Sequence, residues 1–158
     1  MKFTKIPSTT FQELQLNAGV LLSEFTPATG EMEEENLLGA TTGGVAFSAT
    51  PSYTDAGEDI DNCPKNMKEL KQLDTWEIVM SGTFVTVDTA LAKSLVGPAD
   101  VGSSDATKVT PRNSLLQSDF DDIWWVGDYS DKNGDSNGGY IAIHMMNALS
   151  SGGFQLQS

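Results

Sequence analysis

Five segments of the chain alternate between apolar and polar residues, and this period of two predicts β-strands. The predicted strands are residues 17–24, 45–50, 76–87, 123–129 and 139–149. The polar segment 131–138 lies between the last two, so these two strands are expected to form a β-hairpin. Segment 76–87 carries apolar side chains on both faces, since Trp76 and Ile78 alternate with Val79 and Val85. We therefore expect a central strand that is covered on both sides.

A single segment has the pattern of a well-delimited α-helix. Asp88 stands at the N-cap position, Leu91 and Leu95 are the apolar residues that follow, and Gly97 with a proline after it ends the segment. These signals predict a helix over residues 89–96. Five strands and one helix indicate a mainly β fold, of the all-β or the α+β class, arranged as a β-sandwich or a partly closed barrel.

Two long segments are predicted as loops. Residues 54–74 hold Gly57, Pro64 and several acids, and long loops of this kind are generally functional or partly disordered. Within them, the spacing of three apolar residues predicts two turns of helix; these residues are Met67, Leu70 and Leu73. Residues 100–111 are rich in Ser, Asp and Gly and are predicted to be loop throughout.

The 158 residues suit one domain, with an N-terminal arm over about residues 1–16. Nine Lys and Arg against 22 Asp and Glu give a net charge of -13, which argues against a sequence reader of nucleic acid and against docking on anionic membranes. The single cysteine, Cys63, excludes an internal disulfide, and with the single histidine, His144, it excludes a structural zinc site of the Cys and His type. The sequence shows neither a signal peptide nor an apolar run long enough to span a membrane, so we expect a soluble protein made in a cytoplasm.

The candidate chemistry is weak. Residues 131–135 resemble the opening of a calcium-binding loop, but Ser136 stands where that loop needs glycine, so a polar turn is the better interpretation. Asp119, Asp121 and Asp122 offer paired carboxylates, as any chain with 22 acids will. The Trp124–Trp125 pair has the aromatic surface to stack on a sugar, although core and interface packing is the more common use. We therefore predict no enzyme activity and no cofactor.

Several blocks of the sequence resemble the major tail tube proteins of long-tailed phages and prophages. One block is Asn-Cys-Pro-Lys-Asn-Met-Lys-Glu-Leu at residues 62–70, and the others are residues 17–22, 76–87, 124–134 and 139–153. The resemblance implies a β-sandwich closing toward a barrel, with one helix on its flank. It implies that six subunits form a ring, that the sheets join side by side, and that the rings stack into a tube for DNA ejection. The protein would then belong to the virion tail and be made in the cytoplasm of a bacterial host.

The resemblance also implies partners. These are other copies of the chain and other tail proteins, while DNA passes through the lumen without specific binding and no membrane is involved. An acidic lumen repels phosphates, so a net charge of -13 is compatible with that role.

The same resemblance assigns two sets of assembly residues. The loop 54–74 would reach the neighbouring ring through Asp55, Glu58, Asp59, Asp61, Asn62, Cys63, Pro64 and Met67. The side-by-side sheet contacts would come from Trp76, Ile78, Met80, Phe84, Ile141, Ile143 and Met145. Phe154 and Leu156 begin a further alternation just before the end at Ser158, so we expect either a truncated chain or a tail that pairs with another subunit.

Two other functions remain open from the residues alone. One is a β-sandwich binding or adhesion module for a carbohydrate or another ligand, with Trp124 or Trp125 as the exposed aromatic surface and calcium as a possible aid. The other is a hydrolase that uses two carboxylates for acid–base catalysis.

Overall fold

The computed structural model describes residues 5–8, 10, 15–129 and 139–156. Its regular elements, in chain order, are β1 (Gln15–Leu22), β2 (Thr41–Asp55), β3 (Lys71–Phe84), α1 (Thr89–Val96), β4 (Ala99–Val101), β5 (Val109–Pro111), β6 (Asp121–Tyr129) and β7 (Tyr140–Ala148). Among the described residues the fold is therefore mainly β with a single α-helix, which confirms the predicted class. The described strands form open sheets of three, two and two strands.

The chain divides into two compact units. The first joins the residues up to Gly44 with those from Phe84 onward, and the second is Val45–Thr83.

The first unit contains an antiparallel sheet in the order β1–β6–β7, in which β6 is central. Leu21 lies opposite Trp125 across the β1–β6 pair, and Ile143 lies opposite Trp125 across the β6–β7 pair. Leu21, Leu22 and Trp125 are buried, so the inward side chains of neighbouring strands form this part of the core. The pairing of β6 with β7 confirms the predicted antiparallel pair, whereas its connection at residues 131–138 lies outside the described residues.

The helix α1 has the predicted bounds, and its caps show why. The Asp88 side chain accepts a hydrogen bond from the Leu91 backbone N–H at 2.7 Å, which satisfies one of the free donors at the helix start. At the other end Gly97 has a φ of 83° and a ψ of -110°, a positive-φ conformation that glycine adopts without a steric penalty. The buried Leu91 faces the core of this unit.

One prediction in the first unit is wrong. Residues 100–111 are not loop throughout, because β4 and β5 pair antiparallel with Val101 opposite Val109. Three-residue strands are too short to give a periodic signal, so the pattern did not reveal them. Residues 153–156, which include Phe154, lie outside the strands of the single chain, and pairing of this segment with another subunit stays a prediction.

The second unit is dominated by the long hairpin of β2 and β3. The strand predicted from residue 76 begins five residues earlier, at Lys71, and ends at Phe84. The two predicted helical turns around Met67 are wrong, since only a short 3-10 turn, Lys68–Leu70, precedes the strand. Pairing with β2 explains the difference: the Ala56 N–H donates to the Leu70 carbonyl at 3.0 Å, so hydrogen bonds between the strands continue to the loop. The loop therefore shortens from the predicted 54–74 to residues 56–70.

Candidate assembly surface

The two faces of the β2–β3 hairpin can be assigned from side-chain contacts. Thr54 Oγ1 donates a hydrogen bond to Asp74 Oδ2 at 2.5 Å, so these residues share one face. On the other face Lys71 Nζ lies 5.9 Å from the centroid of the Tyr53 ring. Because side chains alternate along a strand, Trp76 and Ile78 lie on the Asp74 face. By the same alternation Leu73 and Val79 lie on the Lys71 face.

Both faces carry large apolar side chains that are exposed to solvent. Trp76 is 54% exposed and Ile78 51% on the Asp74 face, and Leu73 is 51% exposed on the Lys71 face. Tyr53 is 54% exposed on β2. The prediction that segment 76–87 is covered on both sides is therefore wrong for the single chain. Scattered apolar residues are normal on a surface, but a strand pair that exposes them on both faces is a candidate interaction surface.

The backbone edges of the hairpin add to this surface. Among the described residues β2 and β3 pair only with each other, so each strand has one edge whose N–H and C=O groups point away from the hairpin. Such an edge is a template for pairing with another strand.

The predicted sheet-contact residues fall into two groups. Trp76 and Ile78 are exposed on the hairpin, whereas five others are half-buried: Met80, Phe84, Ile141, Ile143 and Met145. The sequence analysis missed Tyr53, Leu73 and the exposed Phe47. Phe47 lay within a predicted strand, and the alternation of that strand was the signal that could have found it.

The loop 56–70 is organised around the carboxylate of Asp55, at the end of β2. Asp55 Oδ1 accepts a hydrogen bond from the Gly57 N–H at 3.0 Å, and Asp55 Oδ2 accepts one from the Asn66 N–H at 2.7 Å. These backbone donors, with Asn66 first, lower the pKa of Asp55 below its usual value because they stabilise the charged carboxylate, and nearby Lys71 and Lys65 act in the same direction. One side chain therefore ties residues at the two ends of the loop together.

Within the loop, Gly57 packs closely against the side chains of Leu70 and Cys63. Gly57 is buried, and a Cβ at this position would lie 2.7 Å from Leu70 Cδ1 and 3.0 Å from Cys63 Sγ. The loop thus has its own contacts, and Cys63, half-buried, belongs to them rather than to the surface. The other predicted loop residues Glu58, Asp59, Asp61, Asn62, Pro64 and Met67 are exposed. Asn62 and Asn66 have φ values of 64° and 60°, a left-handed conformation that asparagine tolerates better than most residues.

The three candidate carboxylates on and before β6 each have a different structural partner. Asp119 is fully buried at its side chain, where Arg112 Nη2 lies 2.6 Å from Asp119 Oδ1 and the Leu116 N–H donates to Oδ2 at 2.8 Å. These contacts, the Leu116 N–H foremost, lower the pKa of Asp119. Asp121 accepts from the Ser94 hydroxyl at 2.6 Å, on the side of α1.

Asp122 lies at a register shift of β6 and reaches across to β7. Its Oδ1 accepts from the Asn147 N–H at 2.9 Å, and its Oδ2 lies 3.3 Å from His144 Nε2. The Asn147 N–H, with a smaller effect from His144, lowers the pKa of Asp122. Among the described residues no group of three or more His, Cys, Asp or Glu side chains is placed to hold a metal ion. The calcium-like residues 131–135 lie outside that part of the chain.

The tryptophan pair is largely occupied by packing. Trp125 is buried, and Trp124 stacks on His144 with ring centroids 3.9 Å apart and planes 6° apart. Phe25 packs against Trp124 at 5.8 Å and against Tyr140 at 5.4 Å, and the Tyr140 hydroxyl donates to the Pro27 carbonyl. Because the His144 ring covers one face of the Trp124 indole, only the other face is left to stack on a sugar.

No family model, curated protein or solved structure matches the chain. Among the described residues no helix has the length and apolar character that crossing a membrane requires. The class that the fold and its exposed hairpin define is thus a mainly β protein with a candidate assembly surface on β2 and β3.

Proposed function

We propose that this chain is a structural subunit that assembles with copies of itself through the β2–β3 hairpin, as the subunit of a phage tail tube. The observation that carries the proposal is the exposure of large apolar side chains on both faces of this hairpin, at Trp76 and Ile78 on one side and Leu73 on the other.

A hairpin of this kind has a physical reason to associate. An isolated pair of strands is marginally stable in water, and it becomes stable when further strands or another layer cover it. Removing the side chains of Trp76 and Ile78 from water on association is favourable in proportion to the apolar area buried. Adding a strand to each free edge also satisfies the exposed backbone groups.

Copies of one hairpin can pair all their free strand edges in a closed ring. If copies are related by rotation about one axis, β3 of each copy lies beside β2 of the next, and the two strands run antiparallel. A head-to-tail contact of this type generates a ring when the rotation closes, and a closed ring leaves no free strand edge. In such a ring neighbouring copies pair with the two edges of the hairpin, while its two faces would be covered only where a further layer of protein packs on them.

The net charge suits a conduit for DNA. At -13 per copy, a ring repels phosphate groups, so DNA would slide through its lumen rather than bind. The number of six copies, the stacking of rings, the other tail proteins as partners and the place in the virion tail rest on the sequence resemblance alone.

The carbohydrate-binding alternative is less well supported. A sugar platform gathers aromatic rings on one surface. Here the exposed rings of Trp76 and Tyr53 lie on opposite faces of the hairpin, Trp125 is buried, and Trp124 is stacked on His144.

Light scattering coupled to size-exclusion chromatography, over a wide range of concentrations, tests the proposal, with negative-stain images of the largest species. The wild-type chain is expected to form rings or stacked tubes, and the double variant Trp76→Ser/Ile78→Ser to stay monomeric. Because both side chains are exposed, the variant should unfold with a free energy within about 0.5 kcal/mol of the wild type. Leu115→Ser is the control, since Leu115 is equally exposed but lies outside the hairpin. A wild-type chain that stays monomeric at every concentration would overturn the proposal.

A further inference from the structure

The two strands of the β2–β3 hairpin contain one proline, Pro51, which lies within β2. Because proline has no backbone N–H, a proline within a sheet removes one hydrogen bond, and it is found almost only on edge strands or at bulges. The direction in which the nitrogen of Pro51 points therefore decides which pairing this residue prevents.

The nitrogen of Pro51 points away from β3. The Ala56 N–H donates to the Leu70 carbonyl, so the backbone groups of Ala56 face the partner side of the hairpin. In an antiparallel pair, the backbone groups of successive residues point alternately toward the partner strand and away from it. Counting back in steps of two, Thr54 and Ser52 face β3, whereas Pro51 faces the open edge of β2. The proline thus costs the hairpin no hydrogen bond, and the missing donor belongs to the outer edge.

The two open edges of the hairpin therefore differ. β3 runs for 14 residues, Lys71–Phe84, without a proline, so each of its outward N–H groups can donate. The edge of β2 is interrupted at Pro51, which separates residues 45–50 from a shorter segment, residues 52–55, next to the loop. The positive φ values within β2 fall on Gly43 and Gly44, before the longer segment, which leaves residues 45–50 as regular extended strand.

The side chains of residues 45–50 suit β3 of a second copy. Phe47 is 41% exposed, and by the alternation along β2 it lies on the same face as Tyr53. This is also the face of Leu73 and Val79 on β3. When copies join edge to edge in a ring, the face continues from one hairpin to the next, so Phe47 can pack against Leu73 or Val79 of the neighbouring copy. Apolar cross-strand pairs of this kind stabilise a sheet.

The other face of β2 does little to define the register of this contact. Its side chains are small and polar at four successive positions, Ser48, Thr50, Ser52 and Thr54. A shift by two residues places the same kind of side chain at each position, and strands with such uniform polar faces are prone to slip. A proline on the edge limits how far a neighbouring strand can advance along β2, because pairing has to end where the donor is missing.

We infer that Pro51 sets the register between copies: β3 of a second copy pairs with residues 45–50 of β2 and stops at this proline. The inference rests on the proposed function and names the part of the hairpin edge that assembly uses. Each edge then takes a partner strand, while residues 52–55 extend past the paired segment toward the loop. In a closed assembly of strands, the number of strands and the register between them are linked, so one fixed register favours a single ring size.

Hydrogen exchange of the full-length chain, compared between the assembled and the dissociated protein, tests the inference. The amides of Phe47 and Ala49 face the open edge, and each is expected to exchange about tenfold more slowly after assembly, when it donates to the neighbouring β3. The amides of Tyr53 and Asp55 face the same edge beyond the proline and should exchange at the same rate in both states. Slower exchange at Tyr53 and Asp55 as well, or at none of the four amides, would overturn the inference.

Pro51→Ala restores the missing donor. Negative-stain images should then show a mixture of ring sizes or open filaments where the wild type forms one size, and the slower exchange after assembly should extend to Tyr53. Pro7→Ala is the control for replacing a proline, since Pro7 is exposed and lies outside the hairpin, and it should match the wild type in both measurements. A Pro51→Ala chain with the ring size and exchange pattern of the wild type would contradict the role of the proline.

Ala49→Pro places a second block inside the paired segment. The Ala49 N–H faces the open edge, so this substitution removes no hydrogen bond between β2 and β3, and slow exchange at Ser52 and Thr54 in the dissociated chain verifies that the hairpin forms. Assembly should need about a tenfold higher concentration, because one donor is lost at each contact. Assembly at the wild-type concentration would overturn the inference and leave the proposed function in place. A wild-type chain that never assembles would overturn both.

Discussion

The carboxylate of Asp55 accepts a hydrogen bond from the backbone N–H of Asn66 at 2.7 Å, across eleven positions of the chain. This bond closes the loop 56–70 at the point where β2 ends. It makes the loop a defined feature of the surface, with Lys65 directly beside the bonded residue. The same carboxylate accepts from Gly57, so its removal affects both ends of the loop.

Asp55→Ala is expected to loosen the loop without unfolding the chain. Both hydrogen bonds to the Gly57 and Asn66 amides are lost, so these two amides should exchange with solvent much faster, as measured by hydrogen exchange. The unfolding transition of the remaining chain should change little, because no core side chain of the first unit is altered. Asp55→Asn is the matched variant: its amide oxygen can still accept one of the bonds, so one amide should keep part of its protection. Unchanged exchange at Asn66 in Asp55→Ala would show that the loop is held by other contacts.

The stability of the chain should depend on the ionisation of Asp119 in acid. Hydrogen bonds from the Leu116 N–H and Arg112 lower the pKa of Asp119 in the folded state, below about 3.9 for an unfolded aspartate. A lowered folded-state pKa contributes stability that is present above the unfolded pKa and is lost as the pH falls through the folded pKa. The urea midpoint of Asp119→Asn should therefore lie below that of the wild type at pH 6, and this difference should shrink below about pH 4.

The control for this experiment is Asp59→Asn, since Asp59 is exposed and makes no hydrogen bond within the described residues. Its urea midpoint should stay close to that of the wild type at both pH values. A gap between Asp119→Asn and the wild type that persists undiminished at pH 3 would show that the pair contributes through shape rather than charge.

Local signals explain which elements could be predicted. The bounds of α1 followed from Asp88 and Gly97, because caps act on neighbouring residues and are visible in a few letters. The start of β3 at Lys71 could not be predicted from local signals. Residues 71–75 have a mixed pattern, and they become a strand through hydrogen bonds to β2. The contact of Arg112 with the buried Asp119 holds the chain after β5, and no period of the sequence reports such an ion pair.

The candidate site was predicted in part for the same reason. The apolar pattern placed Trp76 and Ile78 on one face of a strand, because alternation reports which side chains share a face, and the resemblance to tail tube proteins then implied that they make sheet contacts. It could not tell whether the same chain covers them, and the structure shows them exposed. The order within loop 56–70 depends on Asp55, Gly57 and Cys63, which come together through the backbone path and not through periodicity.

Gly19 is expected to tolerate no side chain. It lies on β1 opposite Gly127, and a Cβ there would be 2.5 Å from two atoms of the Trp125 ring. Trp125 is buried, so its ring cannot swing aside, and Gly19→Ala should lower the free energy of unfolding by about 1–3 kcal/mol in chemical denaturation. Gly152→Ala is the control, because its added methyl would meet nothing within 4 Å and should leave stability close to the wild type. Equal effects of the two substitutions would contradict the packing at Trp125.

The stack of Trp124 on His144 gives the last prediction. The two residues lie directly opposite each other on β6 and β7, with ring centroids 3.9 Å apart. His144→Ala should uncover one face of the indole, shift its fluorescence to longer wavelength and lower the free energy of unfolding by about 0.2–1 kcal/mol, the usual contribution of a cross-strand pair. The measurement uses a Trp76→Phe background, since the exposed Trp76 would otherwise dominate the signal. Met146→Ala, on the same strand but highly exposed, should leave the emission unchanged.

Because His144 already occupies one face of the Trp124 indole, added oligosaccharides should not alter the emission of the Trp76→Phe chain. A saturable change with sugar would instead favour the adhesion function and count against a role of Trp124 in packing alone.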